Sequence, residues 1–243
     1  MNLQKLLSYT RQAVNDYNMI KDGDKIAVGI SGGKDSLCLL AALSEMRRFF
    51  PYKYELEAIT VSLGFNETDY SRVKSFCDKL GVNYTVVDTQ IGRIIFDERK
   101  EENPCSLCAK MRKGALNNAA EELGCNKIAL GHNKNDVIET FLMSLIFEGR
   151  ISCFSPVSFL EKKKLYSIRP LIYVSEYETK SYAGSLGNII VKNPCPADGS
   201  TKRQEIKELL KTLNKTYPNL NQRIFGAVTR SLDDWKRGGV NGR

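Results

Sequence analysis

The sequence predicts an α/β fold in which a parallel sheet is sandwiched between helices. Short runs rich in β-branched residues alternate along the chain with segments whose apolar residues recur at helical spacing. The first half reads strand, turn, helix, strand, helix, strand, which is the order of a parallel sheet with crossover helices. Of the 243 residues, 42% are hydrophobic, so one α/β domain with an appendage can bury a sizeable core.

The predicted elements follow the apolar spacing and the glycines that interrupt it. Strands are expected at 26–30, 54–63, 82–87, 127–130 and, at one edge of the sheet, 165–172. Helices are expected at 3–20, from 37 onward, at 68–80, up to 123, at 137–147, after a capping box at 175–178, at 201–213 and at 220–236. Residues 91–103 read as irregular. The helix at 137–147 is apolar over a wide arc and should be deeply packed.

Three regions are predicted: an N-terminal helix at 1–20, the main α/β domain at 21–200, and a basic helical extension at 201–243. Lys and Arg number 36 against 28 Asp and Glu, a net charge of +8. Six of these excess charges lie between 192 and 243, which fits a polyanionic partner without requiring one. We expect no signal peptide and no membrane partner, and therefore a cytoplasmic protein, because no long apolar run is present.

A glycine-rich turn between the first strand and the next helix carries the strongest functional signal. It reads SGGKDS, and the residues predicted to bind a nucleotide there are Ser31, Gly32, Gly33, Lys34, Asp35 and Ser36. Glycine lets the backbone come close to a ligand, and the first N–H groups of the helix point at an anion. The spacing fits neither G-x-x-x-x-G-K-[ST] nor G-x-G-x-x-G. An ordinary glycine-rich turn is the plainer alternative, although such turns seldom carry Ser, Lys, Asp and Ser together.

This turn resembles the S-G-G-x-D-S loop of the PP-loop ATP pyrophosphatases. The resemblance implies an adenine nucleotide alpha-hydrolase-like fold for residues 21–200. It also implies cleavage of ATP between its α and β phosphates.

The seven cysteines do not read as a disulfide framework, since their number is odd in a chain that we expect to be cytosolic. Cys38 and Cys77 fall in the apolar stripes of helices and are expected in the core. Core or incidental surface positions are expected for Cys125 and Cys153.

The three remaining cysteines are candidate ligands. Cys105 and Cys108 form a C-x-x-C at the start of a helix, a spacing that serves zinc, iron–sulfur clusters and thiol redox chemistry alike. Cys195 lies in a Pro-Cys-Pro loop that gives no packing reason for a cysteine. A closed zinc site would lack a fourth ligand, because the sequence holds no second C-x-x-C and its one histidine follows a different strand. Three thiolates therefore favour a 4Fe-4S cluster with one open iron over zinc.

Five motifs in order, SGGKDS, PCSLC, GHNKND, IRPL and PCPADGSTKRQEIK, resemble the tRNA 2-thiocytidine synthetase (TtcA) family over about residues 25–213. The resemblance implies that the three candidate cysteines hold a 4Fe-4S cluster and that His132 lies beside the nucleotide. It places Arg112 and Asp136 between cluster and ATP, as charge stabiliser and acid/base candidate. Two departures stand out. Pro-Ala-Asp at 196–198 replaces a second cysteine that the family often has, and Asn135 replaces the first of two adjacent acids.

The implied activity is ATP-dependent tRNA thiolation, with sulfur inserted at C2 of a cytidine after its oxygen is adenylated. The catalytic residues would be Lys34, Arg112 and Asp136, and the cofactors ATP, Mg²⁺ near Asp35 and a 4Fe-4S cluster. The partners would be tRNA and a sulfur donor, either a cysteine desulfurase or free sulfide, with a homodimer as one option for assembly. The residues expected to contact tRNA phosphates are Lys202, Arg203, Lys207 and Lys211, for which a solvated helix face is the alternative.

Three other functions remain open at this point. A PP-loop tRNA-modifying ligase of the lysidine-synthetase type would share SGGKDS and the basic C-terminal region, but would not need the three cysteines. A nucleotide-responsive metal-binding regulatory protein would bind ATP without releasing pyrophosphate. A thiolase acting on a small molecule would explain why no dedicated RNA-binding domain is visible.

Overall fold

A six-stranded sheet forms the centre of the protein in this computed structural model, which describes residues 2–65, 68–99, 104–187, 189–191, 195 and 202–236. The strand order is β3-β2-β1-β4-β6-β5, and every neighbouring pair is parallel except β5 with β6. The strands are β1 (Asp24–Gly29), β2 (Tyr54–Ser62), β3 (Asn83–Asp88), β4 (Lys127–Ala129), β5 (Val157–Leu160) and β6 (Leu165–Ile168). The predicted fold class, a mostly parallel sheet flanked by helices, is confirmed.

Helices cover both faces of the sheet. They are α1 (Leu3–Asp16), α2 (Lys34–Met46), α3 (Ser71–Lys79), the short α4 (Ile91–Arg93), α5 (Pro104–Glu122), α6 (Lys134–Glu148), α7 (Glu176–Ala183), α8 (Lys202–Thr216) and α9 (Leu220–Ser231). The alternation along β1 decides which helices pack on which face. Ile26 and Val28 join α1 and α2 in the larger core, whereas Ala27 faces α5 in a smaller core.

The ends of the chain pack against the main domain. Leu6 and Val14 of α1 are buried in the larger core, and Trp235, just after α9, is buried there as well. Ile206 and Leu210 of α8 pack on α6 in a third apolar cluster. None of the described helices is long and apolar enough to cross a membrane.

Three local predictions were wrong. The edge strand is β5 rather than β6, because the short antiparallel β5 has no clear alternation to reveal it. Residues 91–98 are helical, first as α4 and then as a π-helical turn. The last turn of α6 is exposed, as the side chains of Leu145 and Ile146 show with 43% and 50% accessibility.

Candidate functional site

A cavity of about 460 Å³ opens at the carboxyl ends of β1, β2 and β4. β1 lies between β2 and β4, so the connections leave it in opposite directions and create a crevice at this point. Apolar side chains from the strands and from Leu116 of α5 form part of the wall. Polar side chains from five segments complete it: Ser31, Asp35, Ser36, Arg112, Lys113, Asn117, His132, Ser167 and Arg169. A mostly apolar slot with a few convergent polar groups suits a nucleotide base and its sugar.

The predicted nucleotide loop lies at the edge of this cavity and is held by its own hydrogen bonds. The backbone N–H of Ser31 donates to Ser36 Oγ (3.2 Å), and Ser36 Oγ donates to the carbonyl of Gly33 (2.9 Å). Gly32 has φ +78°, a conformation that favours glycine. Gly33 is the N-cap of α2 and has no side chain to offer its first turn. The open helix N-terminus can therefore accept a phosphate group.

Lys34 and Asp35 take part in an ion-pair network behind the loop. Asp35 accepts hydrogen bonds from Lys34 (2.8 Å), from the side-chain amide of Asn133 (3.2 Å) and from the hydroxyl of Thr179. Lys34 Nζ also lies 3.2 Å from a carboxylate oxygen of Glu176. Asp35 lines the cavity, whereas Lys34, likewise a described residue, lies outside its wall. Lys34 must leave Glu176 before it can reach phosphates in the cavity.

Three buried polar atoms have no hydrogen-bond partner among the described residues: His132 Nδ1, Ser167 Oγ and Arg169 Nε. All three side chains line the cavity. Leaving a buried polar group unpaired costs about 1–3 kcal/mol, so such groups call for an explanation. A bound molecule with nitrogen and oxygen atoms would satisfy them. The sequence analysis missed Ser167 and Arg169 as site residues, although both lie in or beside the IRPL motif.

His132 is held as a neutral imidazole. Its ring lies 4.9 Å from the ring of Phe154, and the guanidinium of Arg169 lies 5.0 Å from the same ring. Burial, with the positive charges of Arg169 and Arg203, lowers the pKa of His132 to about 3. Burial also lowers the pKa of Arg169 to about 10, which leaves it charged at neutral pH. The cavity therefore combines the charged guanidinium of Arg169, beside Arg112 and Lys113 on the wall, with an uncharged imidazole.

The depressed pKa of His132 predicts an acid-sensitive stability. The unfolded chain protonates this histidine near its ordinary pKa of 6.5, and the folded protein only near 3, so the unfolded state binds more protons between these values. Stability is therefore present above pH 6.5 and is lost as the pH falls below it. His132→Gln should remove about 2 kcal/mol of the loss between pH 6.5 and 5. Urea unfolding at several pH values measures this, and parallel stability curves for the two proteins would contradict it.

The C-x-x-C pair lies on the helix that forms the opposite wall of the cavity. Cys105 is exposed and Cys108 is half-buried in the first turn of α5. Arg112 follows Cys108 by one turn and lines the cavity, so this part of α5 connects the thiol pair with the cavity wall. Burial raises the pKa of Cys108, the charge of Arg112 opposes the rise, and Cys195 and Cys105 add to it.

The third candidate ligand, Cys195, is thus an electrostatic neighbour of Cys108. None of the seven cysteines, all of them described residues, forms a disulfide. The predicted Pro-Cys-Pro loop at 192–199 lies outside the described residues except for Cys195 itself. Within the described part of the chain, no three His, Cys, Asp or Glu side chains meet closely enough to form a finished metal site. The donor set nonetheless suits a thiolate-bound cluster, because three thiols from two segments are available and Cys105 and Cys195 both act on the pKa of Cys108.

Asp136 closes a capping box at the start of α6. Its carboxylate accepts from the N–H of Asn133 (2.9 Å), while the Asn133 side chain accepts from the N–H of Asp136 (3.2 Å). Burial raises the pKa of Asp136, and the negative charge of Asp35 adds to the rise. Asp136, a described residue, does not line the cavity wall. Its other carboxylate oxygen lies 3.5 Å from Arg203.

Two of the four cations predicted to contact tRNA have acidic partners within the protein. Arg203 pairs with the buried Glu139 (3.1 Å), and Lys207 pairs with Glu176 (3.1 Å). Burial raises the pKa of Glu139 to about 7, and the charges of Lys207 and Arg203 partly offset this. Sequence periodicity identifies the face of α8 but not the acids it meets, so Glu139 was missed. The sequence feature that could have identified Glu139 is its position just after the GHNKND motif.

A glycine-rich loop at the end of β1, beside a crevice between β1 and β4, defines a nucleotide-binding protein of the PP-loop class. A family model described as PP-loop domain matches residues 4–213. A tRNA-cytidine(32) 2-sulfurtransferase from Pelobacter propionicus is 38% identical over 221 residues, covering 90% of this chain and 82% of the relative. Another from Dichelobacter nodosus is 36% identical over 231 residues, covering 94% and 86%. The chain belongs to the tRNA-cytidine(32) 2-sulfurtransferase (TtcA) family of PP-loop proteins.

Two solved structures are similar to this chain, one at 27% sequence identity and one in its fold alone. The U34-tRNA thiolase NcsA from Methanococcus maripaludis, solved with its [4Fe-4S] cluster, has a TM-score of 0.74 and 27% identity. The match covers 93% of this chain and 77% of that one. The NAD+ synthetase of Burkholderia pseudomallei, with a TM-score of 0.53 and 14% identity over 95% of this chain and 90% of its own, shares the fold alone.

Proposed function

We propose that this protein is an ATP-dependent tRNA sulfurtransferase that replaces the C2 oxygen of a cytidine with sulfur. Membership of the family, whose curated members are named for cytidine 32, supports the substrate. One observation carries the proposal: Arg112 lies one helical turn from Cys108 and lines the same cavity as the nucleotide loop. This position of Arg112 supports a site in which thiol chemistry and nucleotide chemistry would take place close together.

The reaction has to overcome a poor leaving group. The C2 oxygen attacks the α-phosphorus of ATP, and pyrophosphate leaves, so the oxygen becomes part of an adenylate. A sulfur nucleophile at the oxidation level of sulfide then attacks C2, and AMP leaves with the former carbonyl oxygen. The exchange is redox-neutral with sulfide as donor. ATP thus makes the unreactive carbonyl oxygen part of a good leaving group, AMP.

The nucleotide loop would hold the departing pyrophosphate. Gly32 and Gly33 supply backbone near the phosphates, and Ser36 supplies a hydroxyl. Lys34 would leave Glu176 to neutralise charge that develops on the phosphates. Asp35, the carboxylate that lines the cavity, would hold a Mg²⁺ ion, which would neutralise phosphate charge, since Mg²⁺ commonly takes one or two carboxylates plus phosphate oxygens. His132, Ser167 and Arg169 would pair with polar atoms of the nucleotide.

Cys105, Cys108 and Cys195 would hold the 4Fe-4S cluster, as three thiolates leave one iron without a protein ligand. When bound, the cluster supplies an iron that can coordinate sulfur. Arg112 would stabilise negative charge between that region and the adenylate. Asp136, whose pKa is raised, is the acid/base candidate, and it would act on the substrate only if the capping box at Asn133 rearranges.

The tRNA would lie across the cavity mouth, where the C-terminal helices present additional positive charge. Lys202 and Lys211 remain candidates for phosphate contacts, whereas Arg203 and Lys207 would first have to release their acidic partners. A tRNA substrate places the enzyme in the cytoplasm. The sulfur donor, a cysteine desulfurase or free sulfide, and the homodimer stay predictions.

Reconstituted thiolation tests the proposed function. The protein loaded with its cluster under anaerobic conditions, then given tRNA, ATP, Mg²⁺ and sulfide, should release one pyrophosphate and form one 2-thiocytidine for each tRNA. Omitting ATP should abolish both products. Pyrophosphate release with lysine incorporation instead of sulfur would indicate a ligase of the lysidine-synthetase type. ATP binding without pyrophosphate release on any tRNA would indicate a regulatory protein.

A further inference from the structure

Val191 rests directly on the nucleotide loop. Its backbone N–H donates to the carbonyl of Gly32 at 3.0 Å. Its side chain fills the space where Gly32 lacks one, since a Cβ built on Gly32 would lie 2.8 Å from Val191 Cβ. The backbone and the side chain of Val191 therefore both depend on the position of Gly32.

Gly32 lies in the part of the loop that must respond to phosphates. The N–H of Gly33 donates to Ser31 Oγ at 3.3 Å, and the Ser36 hydroxyl donates to the carbonyl of Gly33. A phosphate group that takes up the N–H and the hydroxyl competes with both bonds. The peptide that follows Gly32 then has to adjust, and Val191 is bonded to that peptide's carbonyl.

Cys195 follows Val191 by only four residues. Four residues of fully extended chain span at most roughly 14 Å, so the position of Val191 limits where the thiol can lie. A second connection to the nucleotide loop comes from the helix that follows Cys195 in the chain. Glu176 bridges Lys34 of the nucleotide loop (3.2 Å) and Lys207 of α8 (3.1 Å), the helix that begins shortly after Cys195. The thiol is thus flanked along the chain by Val191, which contacts the loop directly, and by Lys207, which is connected to it through Glu176.

From these contacts we infer that Val191 is a positioning residue that ties Cys195 to the nucleotide loop, so that bound ATP changes the accessibility of the Cys195 thiol. The inference rests on the ATP site of the proposed function and adds a link between phosphate binding and the third thiol. Bound phosphates compete for the internal hydrogen bonds of the loop and for Lys34. The contact of Val191 with Gly32 and the ion pairs of Glu176 with Lys34 and Lys207 then change as well. ATP would in this way set the environment of the third cysteine before sulfur is transferred.

Alkylation of Cys195 in the full-length protein purified without iron tests this link. The rate of reaction with N-ethylmaleimide, followed by peptide mass spectrometry, should change at least three-fold when a non-hydrolysable ATP analogue is added with Mg²⁺. Val191→Gly removes the side-chain contact and Val191→Pro removes the N–H, so both should reduce this change to less than 1.5-fold. The adjacent Ile190→Ala, at a side chain 49% exposed, should keep the wild-type response.

Binding of the analogue is measured in parallel by equilibrium dialysis, and folding by near-ultraviolet circular dichroism. A wild-type protein that binds the analogue without any change in Cys195 alkylation overturns the inference but leaves the proposed function standing. Folded Val191 variants that keep the full response overturn it as well. Failure of the wild-type protein to bind the analogue would instead contradict the proposed function.

Discussion

Cys108→Ser should yield a folded protein that binds ATP but retains no iron and forms no 2-thiocytidine. Cys108 is the candidate ligand to replace, because Cys105 and Cys195 both act on its pKa. Loss of outer groups around a metal typically costs up to about 100-fold in affinity or activity, and loss of a ligand should exceed that. Iron and sulfide analysis after anaerobic reconstitution measures the first effect, and tRNA nucleoside mass spectrometry the second.

Cys125→Ala is the matched control for that variant. Cys125 is 5% exposed and packs beside Ala119 and Ala120 in the smaller core, away from the cavity wall. Its replacement should lower stability by about 1 kcal/mol through lost packing and leave iron content unchanged. Equal iron content in the Cys108 and Cys125 variants would show that the C-x-x-C does not hold the cluster.

Gly32→Ala should strongly lower ATP turnover because of the backbone conformation of Gly32 and its contact with Val191. The residue sits at φ +78°, where a side chain costs about 1–2 kcal/mol, and its new Cβ would approach Val191 Cβ to 2.8 Å. Together these effects should lower tRNA-dependent pyrophosphate release about 100-fold, which corresponds to about 2.7 kcal/mol. Pyrophosphate release and equilibrium binding of ATP provide the measurement.

Gly81→Ala separates the general cost of a positive φ from the specific effect at the loop. Gly81 ends α3 at φ +61° with nothing within 4 Å of a built Cβ. The two variants should therefore share a comparable loss of stability, but only Gly32→Ala should lose ATP turnover. Wild-type turnover in Gly32→Ala, or an equal loss in Gly81→Ala, would contradict the assignment of the loop as the phosphate site.

Local sequence patterns predicted the parts of this fold that depend on local physics. The alternation in β1 and β2 predicted two strands of the sheet, and the glycines of the loop predicted the turn that lies at the edge of the cavity. The capping box at Ser175 was also predicted and is present, with Glu178 bonding back to the Ser175 N–H at 2.9 Å. Such features involve residues three or four positions apart, where spacing determines contact.

Long-range features could not be predicted in the same way. Arg203 and Glu139 meet across 64 positions, and Glu176 joins two lysines that lie 173 positions apart, so no periodicity relates them. The exposure of the last turn of α6 could not be predicted for the same reason. An apolar arc shows that a helix face can be buried, but not that a neighbouring element covers it. Arg169 was overlooked because the sequence cannot show that its Nε is buried without a hydrogen-bond partner among the described residues. That property arises only in the folded cavity.

Nucleoside mass spectrometry of tRNA from cells that lack the gene tests the central claim most directly. We predict that 2-thiocytidine disappears from the tRNA pool, returns with the wild-type gene, and does not return with the Cys108→Ser gene. An unchanged set of thiolated nucleosides in the deletion strain would contradict the account, whatever the purified protein binds.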